Sequence, residues 1–124
     1  MRSLGGGGGQ GYAPAFPLVV TLPVILAASD LVAIPFRVPC DVLSISTPIS
    51  GNLQALTAGT CAIDVTNDAT AKFATLTWTA AGAATVSNQN VKTILPGDTM
   101  HFGSSGIGTT PVGCTIVIWL RVRG

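Results

Sequence analysis

From Cys114 to Arg123 the chain alternates apolar and wetter residues without a break, and that two-residue period commits the segment to a β-strand. Ile116, Ile118, Leu120 and Val122 fall on one face, and Thr115, Val117, Trp119, Arg121 and Arg123 on the other. The same period recurs upstream. Cys61, Ile63 and Val65 oppose Ala62, Asp64 and Thr66, while Leu43 and Ile45 oppose Ser44 and Ser46. Val32, Ile34, Phe36 and Val38 share one side of a run that Pro39 ends. Between Lys72 and Thr79 the alternation groups Ala74, Leu76 and Trp78 against Phe73, Thr75 and Thr77, which predicts Trp78 in the core. No long stretch carries helical periodicity.

Turn chemistry separates these runs: Ser50-Gly51-Asn52, Thr66-Asn67-Asp68, Ala81-Gly82 and Pro96-Gly97-Asp98. Pro96 and Gly97 suit the two central positions of a type II turn. Strands at this spacing predict an all-β fold, an antiparallel β-sandwich of jelly-roll-like character with about seven to nine short strands. A chain of 124 residues suffices for one such domain, expected over residues 16–124, with residues 1–15 as an extended N-terminal arm.

The arm, MRSLGGGGGQGYAPA, has a linker composition: six glycines with Leu4 and Tyr12 as its bulky apolar residues. It is expected to lie on a partner subunit; the alternative is that it packs on its own domain. Leu18 to Leu26 is apolar on both faces, as in a strand covered from both sides, and Pro23 restricts it to a sheet edge or a break. The stretch from Phe16 to Ala28 is too short for a membrane helix, which needs about 20 apolar residues, and Pro14, Pro17 and Pro23 interrupt any helix. Arg2 before an apolar run ending in Ala27-Ala28-Ser29 has the outline of a secretion signal, but the segment is expected to be retained as part of the fold.

Charged residues make up only 9% of the chain, against ~25% in ordinary soluble domains. A surface so poor in charge suits a subunit covered by neighbours. The net charge of +1, with basic residues scattered, argues against nucleic-acid binding. Cys40, Cys61 and Cys114 are odd in number and widely spaced, so free buried thiols are expected rather than a disulfide framework or a zinc site. Gly103 to Thr110 has phosphate-loop glycine spacing, yet Thr109 stands where lysine is required, and a flexible strand connection is the expected reading. Asp98, His101 and Ser104 or Ser105 supply the residue types of a hydrolase triad, but alternation points His101 away from Asp98. Asp68 is expected to support its turn. With five aspartates and no glutamate, paired-carboxylate chemistry and calcium cages are poorly supplied. The expectation is therefore no enzyme, no cofactor and no metal.

What remains is a contact surface. Trp119 beside Arg121 is its best candidate, since both residue types are enriched in interfaces. Leu4, Tyr12, Phe16, Leu18, Val20, Leu22, Trp119 and Arg121 are the residues expected to meet a partner. Trp119 or Tyr12 stacking on a sugar is the competing reading.

The stretches IPFRVPCDVLSIS, GTCAIDVTND, LPGDTMHFGSSGIGTTPVG and TIVIWLRVR, within about residues 32 to 123, resemble the jelly-roll-like decoration, cement or head-fibre proteins of tailed bacteriophages. In that family a Val-Pro entry leads into a strand, a Val-Thr-Asn turn closes a hairpin, and a Pro-Gly-Asp step opens a strand before a Gly-Thr-rich loop. The resemblance implies a small β-sandwich, often a homotrimer, assembled in the host cytoplasm. Such a subunit sits on the capsid surface of the virion and locks neighbouring copies of the major capsid protein, with no nucleic acid or membrane partner. A tail or neck position in the same virion is the variant of that reading. Residues 1 to 31 lie outside the resemblance.

Overall fold

The computed structural model of the protein describes residues 14–24, 30–68 and 71–123. Eleven strands follow one another along the described residues: β1 (Ala15–Val24), β2 (Asp30–Pro35), β3 (Cys40–Val42), β4 (Ile49–Ala55), β5 (Ala58–Asn67), β6 (Ala71–Trp78), β7 (Gly82–Ala83), β8 (Thr85–Ser87), β9 (Thr93–Ile94), β10 (Thr99–Thr109) and β11 (Val112–Val122). They form two antiparallel sheets. One runs β2-β10-β5-β6-β8; in the other, β11 pairs with β1 along one edge and with β4 and β3 along the opposite edge, and β7 and β9 extend those two. The sandwich expected from the alternation is present. The count exceeds seven to nine because β3, β7, β8 and β9 are only two or three residues long, below what periodicity can register.

The core lies between the sheets. β5 contributes Cys61, Ile63 and Val65, and β11 contributes Cys114, Ile116, Ile118 and Leu120, all essentially inaccessible to solvent. Trp78 is buried as expected, and its indole Nε1–H donates to the Gly82 carbonyl at 2.9 Å, so the turn after β6 satisfies the one polar atom the ring carries inside. The Pro96-Gly97 turn also forms: Gly97 has φ 93° and the Asp98 N–H donates to the Leu95 carbonyl at 3.0 Å. Asp68, at φ 52°, does support its turn, its carboxylate accepting the Thr99 N–H at 2.8 Å.

Other expectations fail for identifiable reasons. Ser50-Gly51-Asn52 is not a turn but the middle of β4, where Gly51 faces inward and a Cβ would meet Leu76 Cδ2 at 2.6 Å and Trp78 Cζ2 at 2.8 Å. Phe73 does not point away from Ala74, Leu76 and Trp78. The register between β5 and β6 shifts after Val65, an extra residue enters β6, and Phe73 and Ala74 are both buried. Leu43 and Ile45 belong to no strand, because β3 ends at Val42. The strand around Val32 ends at Pro35, where the Phe36 N–H turns to the Asp98 carbonyl, leaving Val38 48% exposed. Gly103 to Thr109 is no loose connection: it is the second half of β10, paired to β5 through two register shifts.

Candidate functional site

The two outer faces of the sandwich differ in charge. On the β2-β10-β5-β6-β8 sheet, the Asp64 carboxylate accepts from Thr75 Oγ1 at 2.7 Å and pairs with the Lys72 ammonium at 3.3 Å. Burial pushes the Asp64 carboxyl up, but Thr75 and Lys72 together outweigh it and hold the group below its ordinary value. The sheet around β11 is bare by comparison. β1, β4 and residues Val112–Leu120 of β11 carry no charged side chain at all. Ionic groups reach that face at one corner, where Arg123 donates to the Asp41 carboxylate through Nε and Nη2. The Arg123 hydrogen bond holds the Asp41 carboxyl below its ordinary value.

Trp119 of β11 and the outward side chains of the neighbouring edge strand β1 stand on this face. Trp119 N–H donates to the Pro48 carbonyl at 2.8 Å, and its carbonyl accepts the Leu43 N–H at 3.0 Å. Both backbone polar groups of Trp119 therefore point away from β1, which makes the facing pair Pro17 and Trp119 one that exchanges no hydrogen bonds. Such pairs bring Cα atoms to ~4.5 Å and side chains close, so the pyrrolidine ring lies beside the indole. The next pair outward on the same face is Val19 with Val117, then Thr21 with Thr115. Val19 is 55% and Trp119 37% exposed, and Pro17 and Thr21 are open as well. Arg121, opposite Ala15, ends the row next to Asp41. Beside the loop that holds Trp119 is an open depression of about 480 Å³ lined among others by Leu43, Ile45, Gln89 and Lys92.

These placements divide the residues expected to meet a partner. Trp119 and Arg121 are exposed on the outer face as expected. Val20 and Leu22 are buried in the domain's own core, and Phe16 and Leu18 pack against that core half-buried. Within the chain, β1 is covered on one face only: Phe16, Leu18, Val20 and Leu22 face inward, and its exposed face is Pro17, Val19 and Thr21. Leu4 and Tyr12 lie outside the described residues, as does the arm up to residue 13. Val19 and Pro17 were missed because a run apolar at every position gives no alternation from which to choose the outer face.

The set of Asp98, His101 and Ser104 does not assemble, and Ser105 hydrogen-bonds to Asp64 instead of Asp98. Ser104 faces inward with Met100 and Phe102, whereas His101 lies on the other face of β10. Asp98 is engaged elsewhere, accepting the Leu95 N–H at 2.8 Å and the Asn67 amide at 3.0 Å, and these bonds hold its carboxyl below the ordinary value. Cys40, Cys61 and Cys114 are buried free thiols; burial, then the neighbouring Cys61, pushes the Cys114 thiol up to about 12. Among the described residues no three His, Cys, Asp or Glu side chains gather into a metal-binding group. No described helix is long and apolar enough to cross a membrane.

Comparison with protein families, with curated proteins and with solved structures returns no match to the chain.

Proposed function

We propose that the chain is a non-enzymatic structural subunit of a larger assembly, and that the outer face of β1 and β11 is the surface the assembly covers. The observation that carries this reading is the uncharged face on which Val19, Pro17 and Trp119 stand open together. Isolated exposed apolar residues need no explanation, but a contiguous row of them whose charged neighbours are confined to one end is what a protein contact replaces. The resemblance of residues 32 to 123 to phage decoration proteins supplies the assembly. On that reading the subunit is a virion component that stabilises the head surface, with the major capsid protein or another virion subunit as its partner.

Co-sedimentation with expanded phage heads tests this. Trp119→Ala and Val19→Asp should each reduce the bound stoichiometry, while Lys72→Ala on the opposite sheet should leave it unchanged. Equal binding by all three variants would remove the face from the proposal.

One observation favours a second reading, a carbohydrate- or receptor-binding module. An exposed indole with Arg121 and the Asp41–Arg123 pair along the same row combines a stacking surface with hydrogen-bonding groups. A glycan array decides it: binding abolished by Trp119→Ala supports the module, and no signal above background eliminates it.

A further inference from the structure

The outer edge of β1, which no strand among the described residues pairs, points to a second copy of this chain as its occupant. Because Pro17 faces Trp119 in a pair without hydrogen bonds, the backbone polar groups of the even-numbered β1 residues address β11, and those of Ala15, Pro17, Val19, Thr21 and Pro23 address the opposite edge. Among the described residues no strand pairs with that edge. Proline has no N–H, so within the window Pro17 to Pro23 the edge offers two donors, on Val19 and Thr21, closed at each end by a proline.

The window is symmetric. Read in either direction, Pro17-Leu18-Val19-Val20-Thr21-Leu22-Pro23 places proline, leucine and a β-branched residue at matching distances from Val20, with valine and threonine nearly the same shape. A two-fold axis through Val20 sets each residue against the one at matching distance on the other copy, which here puts proline against proline and a donor-bearing residue against another. We propose that two chains pair through β1 with Val20 on the axis. Val19 of each copy then exchanges both hydrogen bonds with Thr21 of the other, and Pro17 lies opposite Pro23 at the ends, where water reaches the carbonyls left over. Any register shifted along the strand brings a proline into the middle of the ladder and strands an interior carbonyl.

Charge and side chains agree with this occupant. β1 has no charged residue, so nothing repels at the axis, and Arg121 of each copy lies at the far end from its symmetry mate. Leu18 and Phe16 are half-buried against their own core. In the pair, Leu18 meets Leu22 of the other copy and Val20 meets Val20, so both cores continue across the axis. Seven residues on each side fall well short of the ~20–30 of a standard interface, which makes this a weak, concentration-dependent dimer that an assembly would reinforce. The other edge of each β1 is already taken by β11, so the pairing closes at two and builds no fibre. This two-fold pairing stands apart from the virion reading and departs from the homotrimer that the resemblance implies.

Analytical ultracentrifugation of the purified full chain from micromolar to millimolar concentration, with hydrogen exchange at both extremes, is the test. A monomer–dimer equilibrium is expected, with the Val19 and Thr21 amides protected only at high concentration. Val19→Pro removes an outward donor without touching the β11 ladder, and Val19→Lys sets a charge beside the axis. Each should weaken dimerisation at least tenfold with the thermal transition retained. If Val19→Pro fails to fold, Val19→Lys and the exchange pattern decide alone. A monomer at every concentration, a trimer, or a dimer in which both amides exchange freely would overturn the proposal.

Discussion

Gly51→Ala adds one methyl group where β4 packs tightly against β6 of the other sheet, and the structure sets what it should cost. The new carbon would stand 2.6 Å from Leu76 Cδ2 and 2.8 Å from Trp78 Cζ2, whereas carbon atoms pack at ~3.5–4.0 Å. Roughly 1 Å of retreat is needed. Neither neighbour yields readily: Leu76 is fully buried, and the Trp78 ring is fixed by its hydrogen bond to Gly82. Overpacking of this kind costs about 1–3 kcal/mol. Because Gly51 sits in a strand at a backbone conformation alanine can adopt, lost flexibility of the unfolded chain returns about 0.4–1 kcal/mol. The net expectation is a loss of about 1–2 kcal/mol, or ~4–8 °C in the melting temperature of a domain this size. Urea unfolding followed by Trp fluorescence measures it. In Gly51→Ala/Leu76→Ala the nearest clashing atom is gone, so the double variant should be more stable than the sum of the single losses implies, by about 1 kcal/mol. A Gly51→Ala protein as stable as the parent would refute the close contact, and strict additivity would refute its attribution to Leu76.

Phe73→Ala should destabilise by about 3–5 kcal/mol, as for a core aromatic, because the extra residue in β6 buries that ring; a loss under about 1 kcal/mol would mean the ring faces outward. Asp98, held low by Leu95 N–H and Asn67, and Asp41, held low by Arg123, bind protons less readily folded than unfolded. Their contribution is therefore complete above the ordinary carboxylate value of ~4 and fades as pH falls through it toward the depressed folded values. The urea midpoint should stay level from neutral pH to about pH 5 and drop below about pH 4, less steeply in Asp98→Asn; a midpoint unchanged into strong acid would refute this. Finally, the native chain should leave Cys40, Cys61 and Cys114 unreacted with a thiol reagent at mildly alkaline pH and expose all three in denaturant, since burial raises each thiol. Rapid labelling of any of them in the folded state contradicts that.

The fold was legible wherever one face of a strand is dry and the other wet. β5 and β11 each border the core on one side only, so Cys61 to Val65 and Cys114 to Leu120 display their orientation as alternation. The sequence misled where glycine or an inserted residue acts through tertiary contact. Gly51 has the residue type of a turn, but its missing side chain admits Trp78, and nothing local distinguishes the two uses. The bulge at Phe73 inverts a side chain that strict alternation assigns to solvent. Gly103 to Thr109 is composed like a loop, and at its second shift Gly108, with φ 63° and Ala58 O 2.9 Å from where a Cβ would stand, needs to be glycine. Within the candidate site, Trp119 and Arg121 followed from the period of β11. Pro17 and Val19 did not, since a strand apolar at every position shows its outer face only once its neighbour is known.

The pairing of β1 with β11 sets the order in which this sandwich can be made. Val19 waits for Val117, about a hundred residues later, which a ribosome delivers after about 5–20 s at its usual pace. Through that interval the sheet containing β1, β3 and β4 lacks the strand to which all three bind, while β5, β6 and β8 can pair as they emerge and β2 waits for β10, made just before β11. Both sheets thus close late, first when β10 enters between β2 and β5, then when β11 enters between β1 on one side and the pairs β4-β7 and β3-β9 on the other. Until then the uncharged residues of β1 are exposed on both edges, and the emerging chain is most vulnerable to mispairing just before the eleven residues of β11 appear.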